Sequence, residues 1–217
     1  MLFRSGRKVP REVTEVRVLS EGPTGRVVET TTRKFDPTGQ LGAVTRTVTD
    51  EQTVGNKTII KATTYVSDVN GRLQEGERRV VEAVKQGNTT SSDVSIARPT
   101  LNGAFETVEK RMVVSVADEK SVHEDETIYR PSQNTGFAPV EREIRDVKKD
   151  PGAVSTTKQN YRPDYTGRME LMTQEVVKTV AKPDGSSITE RNIYGRTTDG
   201  IAVASDRKST RLNSSHT

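Results

Sequence analysis

Four sets of residues in this chain have the types and spacing to do chemistry. Tyr65, Tyr129, Tyr161 and Tyr194 recur at related places, with Phe35 near an equivalent one. Aromatic rings in a row can stack sugars or nucleobases. Arg98-Pro99, Arg130-Pro131 and Arg162-Pro163 recur at intervals of 32. A row of guanidinium groups can hold carboxylates or acidic polymers. Asp68-Val69-Asn70-Gly71 contains part of the pattern of a calcium loop, which needs several spaced oxygen ligands and a distal Glu. His123, beside Glu124-Asp125-Glu126, offers an imidazole and carboxylates for metal binding or acid–base work.

Each set also has a structural reading, and the residues favour it. A tyrosine just before a turn anchors the turn on a sheet. In Arg-Pro the proline stops a strand, while the arginine pairs with an acid on a neighbouring strand. Asp36-Pro37-Thr38-Gly39 and Asp164-Tyr165-Thr166-Gly167 keep the aspartate and lose the asparagine. An Asx-type turn explains all three copies. His123 falls in one repeat only and reads as a solvated strand or turn edge. The serines have no histidine partner to activate them as nucleophiles. The expectation is a protein without catalytic residues, metal site or cofactor, in which the tyrosines and Arg98, Arg130 and Arg162 are the candidate interaction residues. Asn56-Lys57-Thr58 and Asn88-Thr89-Thr90 are glycosylation sequons only in a eukaryotic secretory setting.

The spacing of these residues follows a repeat. Gly6, Gly39, Gly71, Gly103, Gly136, Gly167 and Gly200 are separated by 33, 32, 32, 33, 31 and 33 residues. A fixed period of this kind is the signature of a repeat architecture. About half a period further on lie second turn signals: Gly25, Gly55, Gly87, Glu119, Gly152 and Gly185. The arms between turns, such as Lys57 to Tyr65, are rich in β-branched residues and free of Pro and Gly, which favours strands. Turns this short force neighbouring arms to run antiparallel. Val140 to Val147 and Met169 to Val180 partly fit helical spacing, but they share a repeat slot with strand-like segments containing Val80-Val81 and Met112-Val113-Val114. Alternation within the arms is imperfect. The predicted fold is therefore all-β: an extended antiparallel β-meander of about six 32-residue two-strand repeats, single-layer or curled, held by Thr–Thr and opposite-charge pairs across strands.

Composition agrees with a thin structure. Only 30% of residues are hydrophobic and 4% aromatic, with no Trp, whereas globular domains run at about 45–50% apolar with Gly counted. The absence of cysteine removes disulfides and thiolate metal sites. No stretch has the roughly 18 apolar residues of a membrane helix. Net charge is +4, with acids and bases interleaved, so the concentrated basic face of a nucleic-acid binder is missing.

Asp206 to His216 resembles the in-frame translation of a common sequencing-library adapter. The expected organisation is thus a β-hairpin repeat array over 1–205, continuing past both ends in the natural protein, and an artefactual disordered tail over 206–217.

Tyr65-Val66-Ser67-Asp68-Val69-Asn70-Gly71-Arg72-Leu73, echoed by Tyr161-Arg162-Pro163-Asp164-Tyr165-Thr166-Gly167-Arg168-Met169, resembles the tyrosine–aspartate repeats of Rhs-type and teneurin-like proteins. That family's motif, roughly Tyr-Asp-x-x-Gly-Arg-Leu, joins β-hairpins into a spiralling sheet that can form a shell around a toxin domain. Here Tyr and Asp are not adjacent, the period is longer, and Ala104 and Phe137 follow Gly103 and Gly136 in place of Arg. The expected function is a non-catalytic β-repeat structural or surface-interaction protein. The alternative is a shell or carbohydrate-binding part of a larger secreted effector. Either role points to a protein or polysaccharide partner, to no nucleic acid or membrane insertion, and to a secreted or cell-envelope location.

Overall fold

The computed structural model describes residues 11–36, 38–133, 136–182 and 186–196, together with the backbone of 202–212. Gly6 and Gly200 lie outside these residues. Every regular element is a strand: β1 (Glu12–Gly22), β2 (Gly25–Phe35), β3 (Leu41–Val54), β4 (Lys57–Ser67), β5 (Leu73–Gln86), β6 (Thr89–Pro99), β7 (Phe105–Ala117), β8 (Ser121–Ser132), β9 (Gly136–Asp150), β10 (Ala153–Pro163), β11 (Met169–Ala181), β12 (Ser187–Arg196) and β13 (Ala202–Leu212). They pair in sequence order as an antiparallel meander, with two strands per repeat. The segments with helical spacing lie inside β9 and β11, so the shared repeat slot decides their structure over local periodicity. β13 runs through Asp206 to Leu212.

Two kinds of turn alternate, and each follows from its sequence. In the long turns, Gly71 N–H donates to Asp68 O at 3.0 Å and Asp68 N–H to Arg72 O at 2.9 Å, while Gly71 has φ of 77°. That is a type I turn closed by a glycine bulge, in which a Cβ would be strained. In the short turns after β3 and β5, Gly55 and Gly87 have φ of 61° and 59°, and among the described residues no non-glycine residue has positive φ. A leading glycine followed by an ordinary residue is the pattern of a type II′ hairpin.

The chain divides into two compact units, Met1–Ala83 with Val94–Val108, and Val84–Asp93 with Glu109–Thr217. In the first unit, register places Val16, Thr30, Thr47 and Thr64 in one column and Thr14, Thr32, Thr45 and Val66 in the next. This face is lined with threonine and valine, and hydroxyls meet at Thr14–Thr32 and Thr47–Thr64, both 3.2 Å. The other face carries charge, with Arg33–Glu15 at 2.8 Å and Arg46–Glu29 at 2.5 Å. The only buried apolar side chains among the described residues, Val94 and Ile96, also belong to this unit and lie on one face of β6.

In the second unit the same devices recur. Thr179 and Thr189 hydroxyls meet at 3.0 Å, and Lys158–Glu143 and Arg191–Glu175 bridge neighbouring strands at 2.8 and 2.5 Å. Cross-strand pairs of these types stabilise a sheet by roughly 0.2–1 kcal/mol each. They are spread along the strands of both units, where an ordinary domain would concentrate apolar contacts.

A feature not expressed in the turn pattern explains the imperfect alternation. Register shifts occur at Lys34/Phe35, Ile128/Tyr129, Asn160/Tyr161 and Ile193/Tyr194. Each is a bulge beside a long turn, with the extra residue on the strand that leaves it: Gly42, Val140, Met172 and Ser205. One inserted residue exchanges the faces of everything beyond it.

Candidate functional site

The tyrosines and arginines singled out by spacing do not converge on one site. Tyr129 and Arg130 are consecutive in β8, and Tyr161 and Arg162 in β10, so each pair points to opposite faces of the sheet. In the second unit these tyrosines and arginines are therefore kept apart by the sheet.

In the first unit, Arg98 donates from Nε and Nη2 to Glu77 Oε2, both at 3.0 Å. Arg130 donates likewise to Glu109 Oε2 at 3.3 Å. Glu77, Glu109 and Glu141 share the 32-residue spacing of Arg98, Arg130 and Arg162, while register sets Arg162 opposite Glu170 on β11. Glu109 also accepts from Arg111 Nε at 2.7 Å, and Arg111 reaches Glu126 at 3.1 Å. The prolines sit at strand ends facing an apolar partner across the turn, Pro131 opposite Phe137 and Pro163 opposite Met169. Phe35 is likewise opposite Leu41.

The tyrosines are half-buried, and the side chains that accompany them were not singled out by type. In the first unit, Arg46 faces Tyr65 across β3 and β4, its guanidinium 5.7 Å from the ring centre, and its Nε donates to Glu29 Oε2 at 2.6 Å. In the second unit, Arg142 faces Tyr161 across β9 and β10 and donates to Asp125 at 2.9 and 2.5 Å. Glu29, Arg46 and Tyr65 become Asp125, Arg142 and Tyr161 three repeat lengths later. Tyr129 faces Lys110 and Tyr194 faces Gln174. The signal was in the sequence: Arg46, Arg78, Lys110 and Arg142 are each 32 apart. Arg78 and Lys110 instead lie over Phe105 and Phe137, 4.0 and 4.6 Å from the ring centres. Those phenylalanines are themselves 32 apart.

Charge is balanced locally in these clusters. The Arg142 hydrogen bonds hold the Asp125 carboxyl below the ordinary aspartate range, against a smaller opposing effect of burial. Arg78 does the same to Glu75, and Lys57 to Glu82. An acid–guanidinium–phenol set of this kind clips three adjacent strands together.

The aspartate turns have the same inward economy. Asp68 Oδ1 accepts the N–H groups of Asn70 and Arg72 at 2.8 and 2.9 Å. Asp164 Oδ1 accepts those of Thr166 and Arg168 at 2.7 and 3.0 Å. One carboxylate oxygen thereby shapes the turn. Among the described residues no three His, Cys, Asp or Glu side chains come together in a way that could hold a metal ion. His123 Nδ1 lies 2.7 Å from Asp146 Oδ1 on β9, and alternation sends Glu124 and Glu126 to the opposite face. Glu143, Arg145, Thr156, Lys158, Glu175 and Val177 line an open trough of about 270 Å³, two of whose acids are the partners of Lys158 and Arg191.

No family model matches the chain, and no curated protein does. Two solved structures align with it. One is a protein of unknown function from Bacteroides fragilis, at 10% identity and TM-score 0.41, covering 62% of this chain and 94% of that one. The other is a porin-like protein from Bacteroides uniformis, at 10% identity and TM-score 0.17, covering 93% of this chain and 97% of that one. No helix is long and apolar enough to cross a membrane among the described residues.

Proposed function

We propose that this chain is a non-catalytic β-repeat array with a structural or surface-interaction role, in which the recurring tyrosines and arginines hold strands together. One observation carries the reading: the acid–Arg–Tyr set Glu29, Arg46, Tyr65 returns three repeats later as Asp125, Arg142, Tyr161, with the same cross-strand pairing. A set kept in register with the repeat, and satisfied by its own neighbours, acts on the stacking of one repeat on the next.

Replacing Tyr129 and Tyr161 together by alanine, and Arg98 and Arg130 together in a second variant, tests it. Amide exchange is read by mass spectrometry, and retention is measured on insoluble cellulose, chitin and peptidoglycan. The structural role is supported by faster exchange in the strands flanking each substitution. Loss of polysaccharide retention with unchanged exchange would instead make these rows a glycan-binding surface.

A further inference from the structure

Two asparagine–glycine pairs occupy the same place in successive repeats, Asn70-Gly71 and Asn102-Gly103. Their backbones are alike. Both pairs are exposed, the glycines have φ of 77° and 82°, and their N–H groups donate to Asp68 O at 3.0 Å and Thr100 O at 2.9 Å. The side chains differ. Asn102 Oδ1 accepts from the Thr100 hydroxyl and from Ala104 N–H, the latter at 3.2 Å, which ties the carboxamide back onto the turn. Among the described residues the Asn70 carboxamide has no such tie, and only its backbone N–H is engaged, by Asp68 Oδ1.

We propose that Asn70 is a site of spontaneous intramolecular deamidation and that its repeat counterpart Asn102 is protected. The Gly71 backbone nitrogen gives its proton to hydroxide and forms a bond to Asn70 Cγ. The Cγ–Nδ2 bond breaks, and ammonia leaves after taking a proton from water. The resulting five-membered succinimide then adds water at either imide carbonyl, leaving an aspartyl or isoaspartyl residue at position 70. Nothing is oxidised or reduced. Glycine at the following position leaves the approach open, since even an added Cβ there would meet nothing within 4 Å. The free carboxamide of Asn70 can rotate to present Cγ to the nitrogen. That of Asn102 must first break two hydrogen bonds.

The product changes the turn between β4 and β5. An isoaspartyl linkage adds a methylene to the main chain inside the ring closed by Asp68 Oδ1 and Arg72 N–H. Either product also puts a second carboxylate beside that of Asp68. Ageing would thus loosen this turn before the next one.

The test uses the intact protein, incubated near neutral and at mildly alkaline pH. Peptide mapping follows the mass gain of amide-to-acid exchange, and methyltransferase labelling follows isoaspartate. Conversion is expected severalfold faster at Asn70 than at Asn102, with both rates rising with pH. In urea the two rates should converge, because the following glycine is common to both. Thr100→Val should bring the rate at Asn102 toward that at Asn70. Equal or faster conversion at Asn102 in the folded protein would overturn the proposal, as would no effect of Thr100→Val.

Discussion

Arg142 and Asp125 meet diagonally across β8 and β9 through two hydrogen bonds, of 2.9 and 2.5 Å, and Arg46 and Glu29 meet in the same way across β2 and β3. The pairs are partly solvated, with 40% and 26% of the Arg142 and Asp125 side chains exposed. Replacing Asp125 by Asn should therefore cost only about 0.5 kcal/mol near neutrality, in the range of exposed pairs. Its pH dependence has a definite sign. The carboxyl is held below the ordinary value of 3.8, so its contribution is fully present above that value and is lost as pH falls through the lower folded one. The gap between wild type and Asp125→Asn, measured by urea unfolding, should close on acidification below the ordinary aspartate range. A gap that widened there would contradict the assignment.

Asp164 and Asp36 should titrate low for a different reason. Asp164 is held below its ordinary value first by the Thr166 hydroxyl; burial, next in size, opposes this, and the backbone N–H groups of Thr166, Arg168 and Gly167 add to the lowering. Asp36 has the corresponding arrangement with Thr38 and Gln40. An NMR titration of the Asp164 carboxyl should give a midpoint below that of a free aspartate. Thr166→Val should move it up toward the ordinary value, because the largest single cause is removed.

Two glycines test two different steric demands. At Gly167, φ is 87° and a Cβ would meet nothing; alanine there should cost about 1–2 kcal/mol from backbone conformation alone. At Gly25, φ is not in the positive range, but a Cβ would come within 2.3 Å of the Glu51 carbonyl oxygen. Gly25→Ala must push β3 away, at about 1–3 kcal/mol. Amide exchange should rise in β2 and β3 for Gly25→Ala, and only around the turn for Gly167→Ala.

Much of the fold could be read from the sequence because its punctuation is local. Gly39, Gly71, Gly103, Gly136 and Gly167 all have positive φ, the one property a turn glycine advertises. Strand identity in β9 and β11 followed from comparing repeats, since their own apolar spacing was ambiguous. The bulges at Gly42, Val140 and Met172 were not legible. A bulge needs no special residue type, and it shows only when two strands are laid against each other. The partners of the tyrosines left only part of their signal in the chain: Arg46 and Arg142 share a 32-residue spacing with Arg78 and Lys110, but strand register is what sets them opposite Tyr65 and Tyr161.

Burial is concentrated in one place, which gives a contrast in the cost of truncation. Ile96 is 8% exposed and Val69 is fully exposed. Ile96→Ala should cost about 2 kcal/mol, the low end for a core isoleucine. Val69→Ala should be within about 0.5 kcal/mol of wild type. Urea unfolding of the two variants side by side reads the difference directly.

If each strand is held mainly by the two beside it, a whole repeat can be removed without loss of the rest. Deleting residues 137–168 takes out two strands and joins Gly136 to Met169, the residue equivalent to Phe137 in the next repeat. Deleting 137–152 removes one strand and its turn, and leaves β8 and β10, which run in the same direction in the native sheet, joined by a turn too short for anything but antiparallel pairing. The decisive measurement is amide exchange along both variants. The whole-repeat deletion should keep protection in the remaining strands, and the half-repeat deletion should lose it around the junction. Loss of protection throughout the chain in the whole-repeat variant would contradict a nearest-neighbour array.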